Sequence, residues 1–259
     1  MIREHLFNKR APADPMFRWR GGDISRLEGL SDGVFAVTLT LLVVSVNVPV
    51  TFYELWLTIK DLPIFLVSFL MLMMAWRYHY IFFRRYGLED FVTSLLNGAF
   101  LFLILFFAYP LKFLATFLWR ITLNENPEKL FILPEGVTWL SSGFFQQAGM
   151  MYFYGIGIIG VFGILALLVY RAYRLRSELE LDELECYLTI SSIRANLITV
   201  GIAILSILVL LFDGQPGYAG IVYFLMGPIH GFAGFYTGKK ANEIQKKMIK
   251  ANLEETEST

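Results

Sequence analysis

Residues 26–49 read Arg26-Leu27-Glu28-Gly29-Leu30-Ser31-Asp32-Gly33-Val34-Phe35-Ala36-Val37-Thr38-Leu39-Thr40-Leu41-Leu42-Val43-Val44-Ser45-Val46-Asn47-Val48-Pro49. An arginine, a serine and an aspartate stand at the start of an apolar segment of membrane length, and hydroxyl side chains recur along it. Charged groups at the mouth of a membrane helix are costly, and they therefore indicate function. This stretch decides the fold.

The composition predicts a polytopic membrane protein. Of the 259 residues, 56% are hydrophobic and only 17% are charged, which is too much apolar surface for a soluble chain of this length. The formal net charge of zero argues against a nucleic-acid partner. The single cysteine, Cys186, excludes an internal disulfide and a cysteine-based metal cluster. Residues 1–25 are polar and basic, so they do not resemble a cleavable signal peptide, and we expect the first apolar segment to remain as a membrane helix.

Six apolar segments are long enough to cross a bilayer as helices, which takes about 20 residues each. The sequence therefore predicts an all-α polytopic membrane protein with six transmembrane helices. We expect a cytoplasmic N-terminal segment (1–25), a six-helix transmembrane domain (26–238) and a cytoplasmic tail (239–259) that extends the last helix. Residues 213–216 (Asp-Gly-Gln-Pro) predict a tight turn, which makes the last two helices an antiparallel hairpin. The predicted helices are 29–49, 62–83, 92–118, 147–170, 190–212 and 217–238.

The lysines and arginines predict the orientation in the membrane. Most of the 22 lie in the N-terminal segment, the second-to-third and fourth-to-fifth loops, and the tail, whereas Lys60, Arg120 and Lys129 fall on the other side. By the positive-inside rule both termini are cytoplasmic. We therefore expect a multi-pass protein of the cell (plasma or inner) membrane, in contact with lipid.

Six side chains of the first helix share one face, within an arc of about 80° at 100° per residue. With Thr38 taken as zero, Asp32 lies at about +120° and Arg26 at about −120°, away from this stripe. The stripe has two interpretations: packing, in which hydroxyls bond to neighbouring helices or to their own backbone, and the wall of an ion path. Ser31 also has an alternative role as the helix N-cap. The members of the stripe are Ser31, Phe35, Thr38, Leu42, Ser45 and Pro49.

The motif Arg26-x-x-x-Leu30-Ser31-Asp32, at the start of the first of six helices, resembles the R-x-x-x-F-S-D signature of the transmembrane protein 175 potassium channels. Leucine stands here in place of the family's phenylalanine. The resemblance extends to the apolar first helix with its threonines and serines, and to the number of helices. It implies a homotetramer in which the first helix of each subunit lines a central pore for potassium, without a cofactor. It also implies the absence of a T-V-G-Y-G filter, and this sequence contains none.

The residues of the stripe would line such a pore. Rings of Thr38 and Ser45 would hold potassium by replacing part of its hydration shell, and rings of Leu42 and Phe35 would narrow the path. The resemblance further implies a polar network between the signature and neighbouring helices, in which we expect Arg194 to pair with Asp32 because an unpaired charge at that depth is costly. The expected members of the network are Arg26, Ser31, Asp32, Trp76, His79, Asn97, Arg194 and Asn196.

A proton-coupled secondary transporter is the alternative function, with Asp32, His79 and His230 as a relay. No inverted repeat is visible in the sequence to support it, and His230 has a second interpretation as a buried, hydrogen-bonded residue. The sequence contains no H-E-x-x-H, no G-x-S-x-G and no phosphate loop, so we do not expect an enzyme. Glycines at small-residue spacing predict close helix contacts, at Gly155, Gly157, Gly160 and Gly163 and at Gly227, Gly231, Gly234 and Gly238.

Overall fold

The computed structural model describes residues 16–44, 49–123, 130–131 and 143–257, and among these residues it contains helices but no β-strand. We number the helices in chain order. They are α1 (Arg26–Val44), α2 (Phe52–Lys60), α3 (Leu62–Tyr86), α4 (Phe91–Thr122), α5 (Gly143–Arg174), α6 (Glu183–Asp213), α7 (Pro216–Val222), a 3₁₀ turn (Tyr223–Leu225) and α8 (Met226–Glu257).

The predicted all-helical membrane fold is confirmed. Within the described residues, five helical spans are long and apolar enough to cross a membrane, and α1 is one further helix, of 19 residues. α1 begins at Arg26, three residues earlier than predicted, and its described part ends at Val44 rather than at 49. The short helix α2 was not predicted. The five spans are Leu62–Tyr86, Phe91–Thr122, Gln146–Arg174, Glu183–Asp213 and Pro216–Ala251.

The start of α1 is set by a reciprocal pair of hydrogen bonds. The Glu28 backbone N–H donates to Ser25 Oγ at 3.0 Å, and the Ser25 N–H donates to Glu28 Oε2 at 3.0 Å. This is a capping box, which satisfies two donors that a helix start leaves free. The alternative role of Ser31 as N-cap is therefore wrong: Ser31 lies inside the helix, and its hydroxyl donates to the Leu27 carbonyl at 2.8 Å.

The core of the protomer lies where α1, α3, α4 and α5 meet. α1 packs against α3 and α4, and α5 packs against α4 and α6. Large side chains from four helices fill the space between them, including Phe35, Leu72, Phe100 and Leu168. One face of α1 is thus fixed by its own protomer.

The last span is interrupted rather than continuous. The turn between α6 and α7 is short, with Gly214 in the left-handed region at a φ of 72°, and the chain then returns along α6. α7 gives way to the 3₁₀ turn one helical turn before Pro228, which has no N–H to donate to the Phe224 carbonyl. α8 continues through the predicted tail to Glu257, and its Ala241 packs near Leu184 at the start of α6.

The two sets of glycines behave differently. In α5, an added Cβ at Gly155 would lie 3.0 Å from the Ile207 side chain, and at Gly160 it would lie 2.9 Å from Leu103. The predicted close contacts are confirmed at Gly155, Gly157 and Gly160, but not at Gly163, where an added Cβ would meet no atom within 4 Å. In α8 the prediction is wrong for the protomer, because an added Cβ would meet no atom within 4 Å at any of its four glycines: Gly227, Gly231, Gly234 and Gly238.

Gly157→Ala is expected to destabilise the protein, whereas Gly163→Ala on the same helix is not. A Cβ at Gly157 would lie 2.2 Å from Cζ of Phe107, whose ring is already packed against Phe153 and Tyr154. Overpacking of this kind costs about 1–3 kcal/mol. At Gly163 the Cβ meets nothing within 4 Å, so better helix propensity stabilises by up to about 1 kcal/mol. The melting temperatures of the two variants, measured in the same detergent, test this difference in stability. Equal shifts of both melting temperatures would contradict the expected difference.

Candidate functional site

The predicted stripe on α1 faces the interior of its own protomer. The exposed fractions are 0% for Ser31, 3% for Phe35, 0% for Thr38 and 1% for Leu42. The Phe35 ring centroid lies 5.8 Å from that of His79 on α3. The protomer therefore favours the packing interpretation for these four residues, because their burial leaves no open space for an ion path beside them.

The Thr38 hydroxyl has a local partner. It donates to the Val34 carbonyl one turn earlier, at 2.8 Å, and this bond satisfies a polar group on a buried face. A potassium ion beside Thr38 does not fit this position, because the surrounding helices cover it completely. Of the other expected members, Ser45 lies outside the described residues, and Pro49 is half-buried beyond the described end of α1.

The opposite face of α1 is bare. Gly29, Gly33, Ala36, Val37 and Thr40 are all exposed on the protomer, and four of these five side chains are small. The spacing of the small residues was a signal available in the sequence, because Gly29, Gly33, Ala36 and Thr40 fall on one side of a helix. We call these five residues the bare face.

Three members of the expected polar network form a buried hydrogen-bonded chain. Asn97 Nδ2 on α4 donates to Ser31 Oγ on α1 at 3.0 Å, and Asn97 Oδ1 lies 2.8 Å from His79 Nε2 on α3. Because the amide oxygen only accepts, this geometry assigns the proton to His79 Nε2. All three side chains are buried, and the chain ties α1 to both of the helices that it packs against.

Two further members of the expected network, Trp76 and Asp32, contact each other beside these three hydrogen-bonded residues. Trp76 Nε1 donates to Asp32 Oδ1 at 2.9 Å, and the Trp76 ring stacks on Tyr80 with centroids 5.3 Å apart. Asp32 is exposed on the protomer, so its carboxylate keeps access to the surroundings while Trp76 orients it. The structure thus brings together five of the eight expected network residues, on α1, α3 and α4.

The remaining three do not join them. The expected ion pair between Arg194 and Asp32 does not form in the described part of the protomer, where α6, which carries Arg194, makes no close backbone contact with α1. Asn196 is buried on α6, away from the chain of hydrogen bonds. Arg26 is exposed at the start of α1, and in the described part of the chain it has no hydrogen-bonding or ionic partner.

A separate ion pair fixes the start of α4. Asp90 caps that helix by accepting from the Val92 N–H at 3.2 Å, and Arg171 Nη2 of α5 lies 3.1 Å from its carboxylate. Partial burial alone would raise the pKa of the Asp90 carboxyl, but the Thr93 hydroxyl and the Arg171 charge outweigh it and hold the pKa below its usual range. The stabilisation that the ionised Asp90 carboxylate contributes is therefore present at neutral pH, and it is lost as the pH falls through the lowered pKa of Asp90.

Comparison with known proteins places this arrangement in a family. The model of the family described as endosomal/lysosomal potassium channel TMEM175 matches residues 26–108. A curated potassium channel of Marivirga tractuosa is 37% identical over 246 residues, which cover 92% of this chain and 98% of that protein. The chain belongs to the TMEM175 family. The resemblance inferred from the signature is thereby confirmed.

Two further comparisons support the same assignment. Potassium channel Cha6605_3372 of Chamaesiphon minutus is 31% identical over 107 residues, which are 37% of this chain and 51% of that protein. The crystal structure of a variant of the potassium channel MtTMEM175, in complex with a nanobody–MBP fusion protein, is 36% identical. It superposes with a TM-score of 0.75 over 88% of this chain and 100% of that chain. The fold is therefore shared along nearly the whole protomer.

The residues that match the TMEM175 family model form a defined group of helices. Residues 26–108 contain α1, α2, α3 and most of α4, which are the helices that carry the polar chain and the Trp76–Asp32 bond. The bare face lies in the same region. The matched residues thus include α1 and the two helices that it packs against.

Proposed function

We propose that this protein is a potassium-permeable channel. The observation that carries the proposal is the 37% identity to a curated potassium channel along 98% of that protein's length. The bundle of membrane-length helices supports it, because conduction requires a path across the hydrocarbon layer that only a membrane-spanning assembly provides.

The bare face of α1 is the proposed pore wall. Four protomers would place four copies of this face around one axis, and small side chains at Gly33, Ala36 and Thr40 would let the helices approach it closely. The protomer itself supports this choice, since it covers the other face of α1 and leaves this one open. The proposed pore helix is thus the one expected from the sequence, whereas the proposed lining residues differ from the expected ones.

Thr40 is the proposed ligand of the permeant ion. Its hydroxyl donates to the Ala36 carbonyl at 2.9 Å, so the hydrogen points back to the helix and the oxygen lone pairs remain free for a cation. A ring of four such oxygens replaces part of a hydration shell, in place of a carbonyl filter. Val37, one turn nearer the start of α1 and 54% exposed, supplies an apolar constriction.

The orientation and location follow the lysines and arginines. The N-terminal segment, the ends of α3 and α5 and the extension of α8 carry most of them. We propose that this end of the bundle, here called the basic end, faces the cytoplasm and that the protein spans the cell membrane.

No observation favours the transporter. In the described residues, the three relay groups have separate partners: Asp32 bonds to Trp76, and His79 bonds to Asn97. His230 Nε2 lies 2.9 Å from Thr199 Oγ1, between α6 and α8, and neither of these helices has a Cα within 8 Å of α1.

Purified protein in planar bilayers tests the channel directly. With potassium on one side and sodium on the other, we expect a current whose reversal potential is displaced toward the potassium equilibrium potential, while protein-free bilayers carry none. Native mass spectrometry of the same sample should give four subunits. Absence of current, or equal permeation of the two ions, would contradict potassium conduction, and a saturable flux driven by pH would favour transport instead.

A further inference from the structure

The segment that precedes α1 lies across the basic end of the bundle. We call residues 16–25 the strap. The backbone N–H groups of Arg20 and Gly21 both donate to the Arg84 carbonyl at the end of α3, at 3.1 Å each, and Arg84 Nη1 donates to the Gly22 carbonyl at 2.9 Å. A Cβ at Gly21 would lie 2.7 Å from the Phe83 carbonyl oxygen, so only glycine permits this approach. The strap is therefore held directly on the end of α3.

The Arg20 side chain fixes the strap to a second place, the turn between α5 and α6. Its Nε donates to the Leu179 carbonyl at 2.6 Å, its Nη2 donates to the Glu180 carbonyl at 3.1 Å, and both η nitrogens contact the Glu185 carboxylate. Nη1 also donates to the Arg18 carbonyl at 3.0 Å. The guanidinium and carboxylate side chains are only 12% and 3% exposed. Every nitrogen of this guanidinium thus has a protein partner.

The turn that receives Arg20 has an unusual backbone. Glu180 has a φ of 49°, in the left-handed region that non-glycine residues rarely adopt. Its carbonyl and the preceding carbonyl of Leu179 both accept from Arg20. A non-glycine residue keeps such a backbone conformation where surrounding contacts hold it, and here the Arg20 guanidinium holds it by donating to these two carbonyls. Glu185 is fixed in turn by the capping box that starts α6, where it accepts from the Asp182 N–H at 3.2 Å.

The strap also reaches the start of α1. Arg84 Nη2 lies 3.8 Å from Glu28 Oε1, and Glu28 forms the capping box of α1 with Ser25. α1 does not contact α6 directly. The connections through Arg20, Arg84 and Glu28 therefore join the start of α1 to α6, beside the link that α3 makes where Tyr86 Oη lies 2.9 Å from Thr189 Oγ1 of α6.

We propose that Arg20 and Glu185 are positioning residues for conduction. The buried pair they form, here called the clamp, holds the basic end of α1 and thereby sets the fraction of time for which the channel is open. This inference rests on the proposed function. Because one face of α1 is bare, attachments at its ends and along its covered face determine where that helix stands. Removing one partner of the clamp leaves a buried charge without compensation, so the strap should leave its site.

Glu185→Gln is the variant that tests the clamp, with Arg20→Lys as its companion. Glutamine still accepts from the Asp182 N–H, as in other capping boxes, so α6 should keep its start while the charge is lost. Lysine keeps the charge of Arg20 but lacks the planar fork that reaches five acceptors. Glu254→Gln is the matched control, because it removes a carboxylate from an exposed pair on α8, where Lys250 lies 3.6 Å away.

Two measurements on each full-length variant separate structure from conduction. Hydrogen exchange followed by mass spectrometry, on peptides covering 16–33, should be several-fold faster in Glu185→Gln and Arg20→Lys than in Glu254→Gln. Single-channel recording should show an open probability changed by about threefold or more, with unit conductance and reversal potential unchanged. Elution of each variant at the position of the unmodified protein in size-exclusion chromatography confirms its assembly.

The outcomes distinguish this inference from the channel function itself. Unchanged exchange in Glu185→Gln would show that the clamp does not hold α1, and it would overturn the inference whether or not current is seen. If exchange is faster in Glu185→Gln but its open probability equals that of Glu254→Gln, the proposal that the clamp controls channel opening is overturned. An unmodified protein that carries no potassium current would instead overturn the proposed function, while the exchange data still decide whether Arg20 and Glu185 hold α1.

Discussion

Replacing Thr40 by alanine is expected to lower the permeability ratio of potassium to sodium several-fold, whereas replacing Thr38 leaves the ratio unchanged. The two threonines are two residues apart, and each donates its hydroxyl to the carbonyl four residues earlier, at 2.9 and 2.8 Å. They differ in surroundings, because Thr40 is exposed on the bare face and Thr38 is fully buried. Only the hydroxyl on the bare face is placed to take part in ion coordination.

Bi-ionic reversal potentials of both variants measure this difference. The unmodified protein supplies the reference, and thermal unfolding shows whether Thr38→Ala costs stability through its lost local hydrogen bond, about 1 kcal/mol. A reduced ratio in Thr38→Ala together with an unchanged ratio in Thr40→Ala would contradict the bare face as the pore wall. It would require the buried face to reach the permeant ion after assembly.

Asn97→Ala is expected to give the largest loss of stability among single polar substitutions in the protomer. Asn97 is completely buried, and it joins Ser31 to His79 through its amide nitrogen and oxygen. Alanine leaves the His79 N–H without an acceptor among aromatic side chains, including Phe35 and Phe100. An unsatisfied buried donor costs about 1–3 kcal/mol, in addition to the cavity left by the amide.

Asn196→Ala is the control for that loss. Asn196 is also a buried asparagine on a membrane-length helix, with an exposed fraction of 8%, but among the described residues its side chain has no hydrogen-bond partner. Melting temperatures measured in the same detergent should therefore fall clearly for Asn97→Ala and little for Asn196→Ala. Equal decreases would show that the hydrogen-bonded chain contributes nothing beyond the burial of an amide.

The sequence predicted the helices through strong local signals, and the resemblance to the TMEM175 family implied the polar chain. Long apolar runs specify spans, and Ser31, His79 and Asn97 fall at one depth once the helices are oriented. It did not predict which side of α1 is inside. In a membrane both sides of a helix are apolar, so periodicity shows that Thr38 and Phe35 share a face without showing what that face meets. Thr40, on the other face, had the same local chemistry.

The clamp left no comparable signal. Arg20 lies in a polar segment that was expected to be a separate cytoplasmic region, and Glu185 lies 165 positions away. Their meeting depends on the end of α3 and the start of α6 lying at the same level, which the prediction of separate helices does not provide. Arg194 failed as a partner for the same reason: it has the right depth and charge, but it stands on a helix that does not touch α1.

The two faces of α1 determine how this stretch of sequence tolerates change over time. Selection acts on Phe35 through the yield of folded protein, whereas it acts on Ala36, the next residue, through the ion flux of a protein that folds normally. Variants of the first kind should be rescued by low growth temperature, and variants of the second kind should not. A complete substitution scan of α1, scored separately for protein abundance and for potassium-dependent growth, would give two sensitivity profiles with a period of about 3.6 residues, offset by about half a turn.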